Sequence, residues 1–320
     1  MSDKPRILQA LRLLPWLEAQ LAQDYEVVHL PAEPQARQQF LKEQGADFGL
    51  LVTSAAHGIG NDVLEALPKL RMISSFGVGL DKFDLGYIGQ RGMALGYTPD
   101  VLNDCVADQA FGLMLDIGRR LSQADRYVRA GQWGAPGAPA FPLGFKVSGA
   151  RLGIVGLGRI GSTIARRASG FDMDVRYHSR KPVADQPWTY EPSLHELARW
   201  SDFLVVITSG GAGTHHLIDQ SVLDALGPQG FLINVSRGSV VHEAALLSAL
   251  QDKRIGGAAL DVFEREPHVP SDFYSLDNVV MVPHIASATV QTRQAMAQRV
   301  LDNLRAHQQG LPLPSSAFAV

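Results

Sequence analysis

An α/β fold of two doubly wound parallel-sheet units is predicted by three features of the 320-residue chain. Short apolar runs alternate with helical patterns almost from end to end, as parallel sheets covered by helices require. The runs fall into two series, one ending before Tyr97 and one beginning at Arg151. At the head of the second series, Gly156, Gly158 and Gly161 stand between an apolar strand and a helical pattern (Ile160, Ile164, Ala165, Ala168).

The first series supplies strands at Arg6 to Leu8, Glu26 to Leu30, Phe48 to Thr53, Met72 to Ser75 and Met93 to Gly96, with helices such as Pro34 to Glu43 and Asn61 to Leu67 between them. It carries no phosphate-binding glycine pattern. A helix from about Asp104 to Arg120 follows, whose Val106, Ala110, Phe111, Met114 and Ile117 recur at helical spacing and read as core. The stretch from Ala130 to Phe145 is too rich in Gly and Pro for regular structure. Its Trp133, Phe141 and Phe145 are poor residues to leave in water, so the stretch either folds onto its own domain or packs as an arm on a second subunit. The second series runs through Arg151, Asp174 to Tyr177, Phe203 to Ile207, Phe231 to Val235, Gly257 to Leu260 and Val279 to Val282, the six strands of a full dinucleotide-binding domain. A last helix is expected from Thr289 to His307, before Gly310 and Pro312.

Composition narrows the function. The chain is 46% hydrophobic and 19% charged with a formal net charge of -3, which suits a globular protein of about two domains and disfavours nucleic acid as a partner. The polar start, Met1 to Arg6, and the lack of a long apolar run argue against a signal segment or membrane span, so the cytosol is the expected compartment. Cys105 is the single cysteine. It excludes an internal disulfide and a multi-cysteine metal site, and it reads as packing; no metal is expected.

Each glycine of the motif has a job. Gly156 permits the strand-to-helix turn, Gly158 lets backbone approach a pyrophosphate, and Gly161 lets helix and strand pack closely. The phosphates then meet the free amides of the helix N-terminus. An NAD-selective site places Asp or Glu at the end of the next strand, to bond the ribose 2′-hydroxyl. Here that place holds His178, followed by Ser179, Arg180 and Lys181. A hydroxyl and two cations suit a 2′-phosphate, so NADPH is expected in preference to NADH; a solvated basic turn before Pro182 is the other reading.

Charged side chains then emerge from consecutive strand ends: Arg237 after Asn234-Val235-Ser236, Asp261, Glu266, and His284 after Pro283. Ligands bind at that end of a doubly wound sheet. Arginine holds a carboxylate bidentately and stabilises charge growing on a carbonyl oxygen. Histidine titrates near neutrality and moves a proton both ways, and a carboxylate on its other nitrogen fixes the tautomer. Taken singly, Arg237 suits an ion pair, Glu266 a turn and His284 a satisfied histidine. Together they form an acid–base site without a nucleophile.

With these residues in view, the chain resembles the D-2-hydroxyacid dehydrogenases, and most of all their glyoxylate, hydroxypyruvate and hydroxyphenylpyruvate reductases. The resemblance rests on Ser75-Phe-Gly-Val-Gly-Leu-Asp81, Thr98-Pro-Asp100, Gly153 to Gly161, Ile233-Asn-Val-Ser-Arg-Gly238, Ala259 to Pro267 and Val282-Pro-His-Ile-Ala-Ser287. It implies a Rossmann cofactor domain, residues 99–285, inserted into a flavodoxin-like substrate domain of residues 1–98 and 286–320. It also implies a homodimer with an arm at about 119–148. By position, Arg237 binds the 2-oxo acid, Glu266 pairs with His284, and His284 donates the proton. Ser54, Val78 and Gly79 line the substrate, the latter two through backbone amides. Beyond the glycines and the His178 to Lys181 run, the implied cofactor contacts are Val106, Arg159, Ile160, Thr208, Thr214, Val235, Ser236, Asp261 and Ser287, with Asp261 on the nicotinamide carboxamide. The segment Thr208 to Thr214 departs from the family by lacking the proline often found after this strand.

The expected activity is NADPH-dependent reduction of small 2-oxo acids, glyoxylate and hydroxypyruvate first, to D-hydroxy acids. Hydroxyphenylpyruvate or a sugar-derived keto acid is the alternative within the family. A dinucleotide-sensing, corepressor-like binding protein without turnover is the alternative outside it.

Overall fold

Runs rich in Val, Ile and Leu that are buried on both faces pair in parallel, and they do so twice in this chain. The structure, a computed structural model, describes residues 4–318; Met1 to Asp3, the first part of the polar start, lie outside the described residues, as do Ala319 and Val320. The chain divides into two units, one of residues up to Leu102 and from Val290 onward, the other Asn103–Thr289. The division therefore falls slightly beyond the expected crossings at 98/99 and 285/286.

In the first unit, β1 (Arg6–Gln9), β2 (Glu26–His29), β3 (Leu50–Ser54), β4 (Met72–Phe76) and β5 (Ala94–Gly96) form a five-stranded sheet in the order β2-β1-β3-β4-β5. This is the flavodoxin-like order. Every residue of β3 and β4 is buried, as central strands covered on both faces must be. Leu8, Phe48, Leu51, Leu64 and Ile73 form the core of one face. The last helix, Val290–Gln308, closes this unit, with Ser74 Oγ donating to Val300 O at 3.1 Å and the Asn303 amide donating to Tyr97 O at 3.1 Å.

In the second unit, β6 (Arg151–Val155), β7 (Asp174–His178), β8 (Thr189–Tyr190), β9 (Phe203–Val206), β10 (Phe231–Asn234), β11 (Gly257–Leu260) and β12 (Val279–Met281) form a seven-stranded sheet in the order β12-β11-β10-β9-β6-β7-β8. All its pairs are parallel. This corrects the expected six strands. The two-residue β8 carries no apolar run of its own, and it exists because Thr189 and Tyr190 pair with Arg176 and Tyr177 of β7. The strand order reverses between β6 and β9, which opens a crevice at their C-terminal ends. Full burial of side chains such as Ile154, Leu204 and Leu232 contributes about 1.5–3 kcal/mol each to holding that frame.

Helix Asn103–Arg119 packs on the sheet, and the left-handed Arg120 (φ 58°) breaks it from a second helix, Leu121–Arg129, that buries no residue. From Gly131 to Phe145 there is no regular structure. Its aromatics divide in role. Phe145 sets its ring edge-on against Phe203 and Phe231, with centroids 5.5 and 5.6 Å away, so this residue folds onto its own unit and is not part of a projecting arm. Phe141 packs on Tyr127 at 5.3 Å. Trp133 and Leu143 remain 79% and 94% exposed. No helix among the described residues is long and apolar enough to cross a membrane.

Candidate active site

The glycine turn joins β6 to helix Arg159–Ala168, and its geometry separates the work of the three glycines. Gly156 has φ +103°, and a Cβ there would lie 2.9 Å from the backbone of Thr208. At Gly161 a Cβ would come within 2.1 Å of Gly156 O, so any side chain forces helix and turn apart. At Gly158 a Cβ would meet nothing within 4 Å. No neighbour in the chain requires glycine there, and its bare backbone leaves the turn open to an approaching phosphate. Gly158 caps the helix with no side-chain hydrogen bond, which leaves first-turn amides such as that of Ile160 for an anion. The residues present therefore fit a dinucleotide pyrophosphate.

His178 is the last residue of β7, half-buried, with Nδ1 3.0 Å from Glu191 O. A carbonyl only accepts, so Nδ1 carries the proton of that bond. Ser179 Oγ donates to Lys181 O at 2.6 Å, while Arg180 and Lys181 are exposed. Thr208 lies against Gly156, and Thr214 Oγ1 donates to Ser209 O at 2.7 Å, folding the segment after β9 back on itself. Val106, Val235 and Ser236 are buried and Ser287 half-buried; Ser236 donates to Asn234 Oδ1 from both N and Oγ, at 3.1 and 2.7 Å.

The acid–base residues come from the ends of β10, β11 and β12. Asn234 Nδ2 donates to Arg237 O at 3.1 Å, and Arg237 Nη1 donates to Ser236 O at 2.9 Å. The next residue, Gly238, lies so close to the following loop that a Cβ would come within 1.9 Å of the Phe263 carbonyl carbon. This packing fixes the backbone beside Arg237. Glu266 is held at both carboxylate oxygens: Oε1 accepts Phe263 N at 3.1 Å, and Oε2 accepts His284 Nδ1 at 2.8 Å. Burial pushes the Glu266 pKa up, but the His284 bond and charge, the Phe263 amide and the Arg237 charge outweigh it and hold the carboxyl below its ordinary value.

His284 sits at φ +53°, a left-handed conformation uncommon for a residue with a side chain. Its N donates to Asp261 O at 2.9 Å, and the Asp261 carboxylate then takes Ile285 N at 2.7 Å and Ala286 N at 3.1 Å. Asp261, 1% exposed, thus clamps the loop that presents the histidine. Burial raises its pKa, opposed by the two amides and the His284 charge. Both its oxygens already serve the protein, a role the sequence reading did not foresee. His284 Nε2 makes no hydrogen bond among the described residues, and the side chain is 39% exposed. One ring nitrogen is therefore oriented by a carboxylate while the other stays open to a reacting group.

In the first unit, considered by itself, Ser54 ends β3, is buried, and accepts His57 N at 3.2 Å. Val78 and Gly79 follow β4, and neither amide donates a hydrogen bond among the described residues.

The model of the D-isomer specific 2-hydroxyacid dehydrogenase NAD-binding domain matches residues 111–286, more than half of the chain. The chain belongs to the D-isomer specific 2-hydroxyacid dehydrogenases. This dehydrogenase is an oxidoreductase acting on CH–OH donors, with an NAD(P)-binding Rossmann domain. It is 45% identical over 307 residues to the hydroxyphenylpyruvate reductase of Plectranthus scutellarioides, covering 96% of this chain and 97% of that one. It is 42% identical, over the same length and 96% of each chain, to the 2-ketogluconate reductase of Gluconobacter oxydans strain 621H. Among solved structures, the NADPH-dependent glyoxylate/hydroxypyruvate reductase of Sinorhizobium meliloti, in complex with NADP and malonate, superposes with a TM-score of 0.91 at 40% identity, covering 98% of this chain and 97% of that one.

Proposed function

We propose that this dehydrogenase uses NADPH to reduce small 2-oxo acids, glyoxylate and hydroxypyruvate foremost, to D-2-hydroxy acids. The observation that carries the reading is the Glu266–His284 pair at 2.8 Å, close enough to Arg237 for its charge to act on Glu266. When bound, NADPH supplies hydride to C2 of the oxo acid. His284 gives the Nε2 proton to the oxygen on C2, and its partial exposure lets solvent replace that proton. Glu266 keeps the proton of Nδ1 in place and stabilises the charged ring. Arg237 pairs with the substrate carboxylate and carbonyl oxygen, where it offsets growing negative charge. The uncommitted amides of Val78 and Gly79, with Ser54 at the end of the adjacent strand β3, suit the role of carboxylate contacts. Asp261 acts by holding the His284 loop; contact with the nicotinamide carboxamide remains part of the proposal for its remaining lone pairs.

The preference for NADPH rests on the end of β7, where His178 replaces a carboxylate and Arg180 and Lys181 stand exposed. Trp133 and Leu143, together with the unburied helix Leu121–Arg129, support a second copy of the chain as the cover for this segment in a homodimer. The similarity to a hydroxyphenylpyruvate reductase and a 2-ketogluconate reductase puts those two acids in the test panel.

Initial rates with NADPH and NADH, measured over glyoxylate, hydroxypyruvate, hydroxyphenylpyruvate and 2-ketogluconate, test the reading. Glyoxylate or hydroxypyruvate with NADPH should give the highest kcat/KM. Replacing Arg180 and Lys181 by Ala together should narrow the NADPH-over-NADH preference by about 10- to 100-fold, as charged hydrogen bonds of about 1.5–3 kcal/mol are lost. An unchanged ratio assigns the 2′-phosphate to other groups. Absence of turnover across the panel, with NADPH still bound, replaces the enzyme reading by a sensing one.

A further inference from the structure

Outside the dyad, the second unit holds a cluster of titratable side chains that no step above uses: His215, His216, His242, Glu243 and Glu264. We propose that His216 and Glu264 form a positioning pair that holds the Glu266-bearing loop in register with Arg237, and so sets the geometry of proton transfer; the inference rests on the reductase reading above.

His216 stands where the loops after β9, β10 and β11 meet. Its ring Nε2 bonds Glu264 Oε1, and both side chains are mostly covered, at 30% and 27% exposure. Its backbone N donates to Ser239 O at 2.8 Å, in the loop that begins with Arg237. The backbone is left-handed at φ +52°, a conformation that surrounding contacts must hold for a residue with a side chain. The ring is flanked by those of His215 and His242, with centroids 3.8 and 4.4 Å away. His242 Nδ1 accepts Ala245 N at 3.1 Å as a helix cap, so the His242 ring is committed to that helix.

Glu264 transmits the hold to the dyad. Its own N donates to Glu243 Oε2 at 3.2 Å, and Phe263 before it donates to Glu266 Oε1 at 3.1 Å. Gly238 presses on Phe263 and Glu264 from the Arg237 side, where a Cβ would overlap both. The path from His216 thus reaches Glu266 through Glu264 and Phe263, and Arg237 through Ser239 and Gly238. Burial raises the pKa of Glu243, and the Glu264 charge adds to it, against the Glu264 amide and Arg265. Two carboxylates lie together here, and His216 is the donor placed between loops. A partly buried polar pair gains little stability over an apolar contact, which favours a directional task for it.

The titratable and charged groups around Glu264 are His216, Glu243 and Arg265, and those around Glu266 are His284, Arg237 and Asp261. Loosening the loop weakens the His284 bond and the Phe263 amide, the interactions that hold the Glu266 pKa low, while burial still pushes it up. Glu266 then protonates at higher pH. The acid limb of kcat/KM therefore moves to higher pH.

The test uses His216→Phe, which keeps a ring between His215 and His242, with Glu264→Ala, the double variant, and Glu264→Gln, which keeps a neutral acceptor. Expected is a fall in kcat of about 10- to 100-fold in each of the first two, since small misplacements of reacting groups are costly. The double variant should be no worse than the singles, Glu264→Gln should recover much of the rate, and the dissociation constant of NADPH should stay within about twofold, as the phosphate turn is untouched. The acid limb should shift as derived. Folded variants with unchanged kcat and unchanged acid limb overturn the proposal, as do additive losses that follow the fall in Tm alone. If the parent protein reduces no 2-oxo acid, the reductase reading fails, and NMR titration of the Glu266 carboxyl in the parent and in His216→Phe still decides the positioning role: an unmoved titration refutes it.

Discussion

Replacing His284 by Gln is expected to lower kcat for 2-oxo acid reduction by about 10³-fold, within the range that general acid catalysis supplies, while NADPH binds as before. Glutamine keeps much of the volume and an N–H for Glu266, but it has no proton to give at neutral pH. The phosphate turn at Gly156 to Gly161 belongs to β6 and its helix, so cofactor affinity has no cause to change. The substitution also strips Glu266 of the His284 charge, one of the influences that lower its pKa against burial, so this carboxyl should protonate at higher pH than in the parent. His284→Asn serves as a folding control, because Asn tolerates the left-handed backbone at this position better than Gln does. Undiminished turnover in both variants would remove His284 as the acid.

Substituting Arg237 should cost about as much, and in two separable ways. Arg237→Lys keeps the charge and loses the planar fork, so kcat/KM should fall by about 10²- to 10³-fold through both KM and kcat. Gly238 pins the backbone against Phe263, which prevents the chain from shifting to let a shorter side chain reach. Arg237→Met removes the charge as well. Since that charge helps hold Glu266 below its ordinary pKa, the Met variant should also show its acid limb at higher pH, whereas the Lys variant should not. Parental kinetics in Arg237→Lys would refute the substrate role, and identical pH profiles in Lys and Met would refute the electrostatic link to Glu266.

Much of this geometry was legible in the sequence because the residues concerned sit at strand ends. Once β10, β11 and β12 are recognised, Arg237, Asp261 and His284 follow at their C-terminal edges, and parallel pairing brings those edges side by side. Gly156 and Gly161 of the cofactor turn were legible for a similar reason, each being required by a local contact. What stayed hidden depends on partners distant in the chain. The strand β8 has no apolar signal and forms only on the edge of β7. The fate of Phe145 was set by Phe203 and Phe231, which no local pattern connects to it. Helix Leu121–Arg129 buries nothing, so core periodicity gave no signal for a second helix after Arg120. The structural work of the Asp261 carboxylate was hidden as well, because its two amide donors, Ile285 and Ala286, lie 24 and 25 positions further along the chain. His216 and Glu264 are 48 positions apart and meet only because β9 and β11 flank β10.

The most direct test of hydride transfer to a 2-oxo acid is to supply NADPH deuterated at both positions of nicotinamide C4 with hydroxypyruvate, and to follow the label. The account predicts D-glycerate carrying one deuterium at C2 for each NADPH oxidised. Glycerate without the label, product of the L configuration, or bound NADPH with no product at all would contradict it.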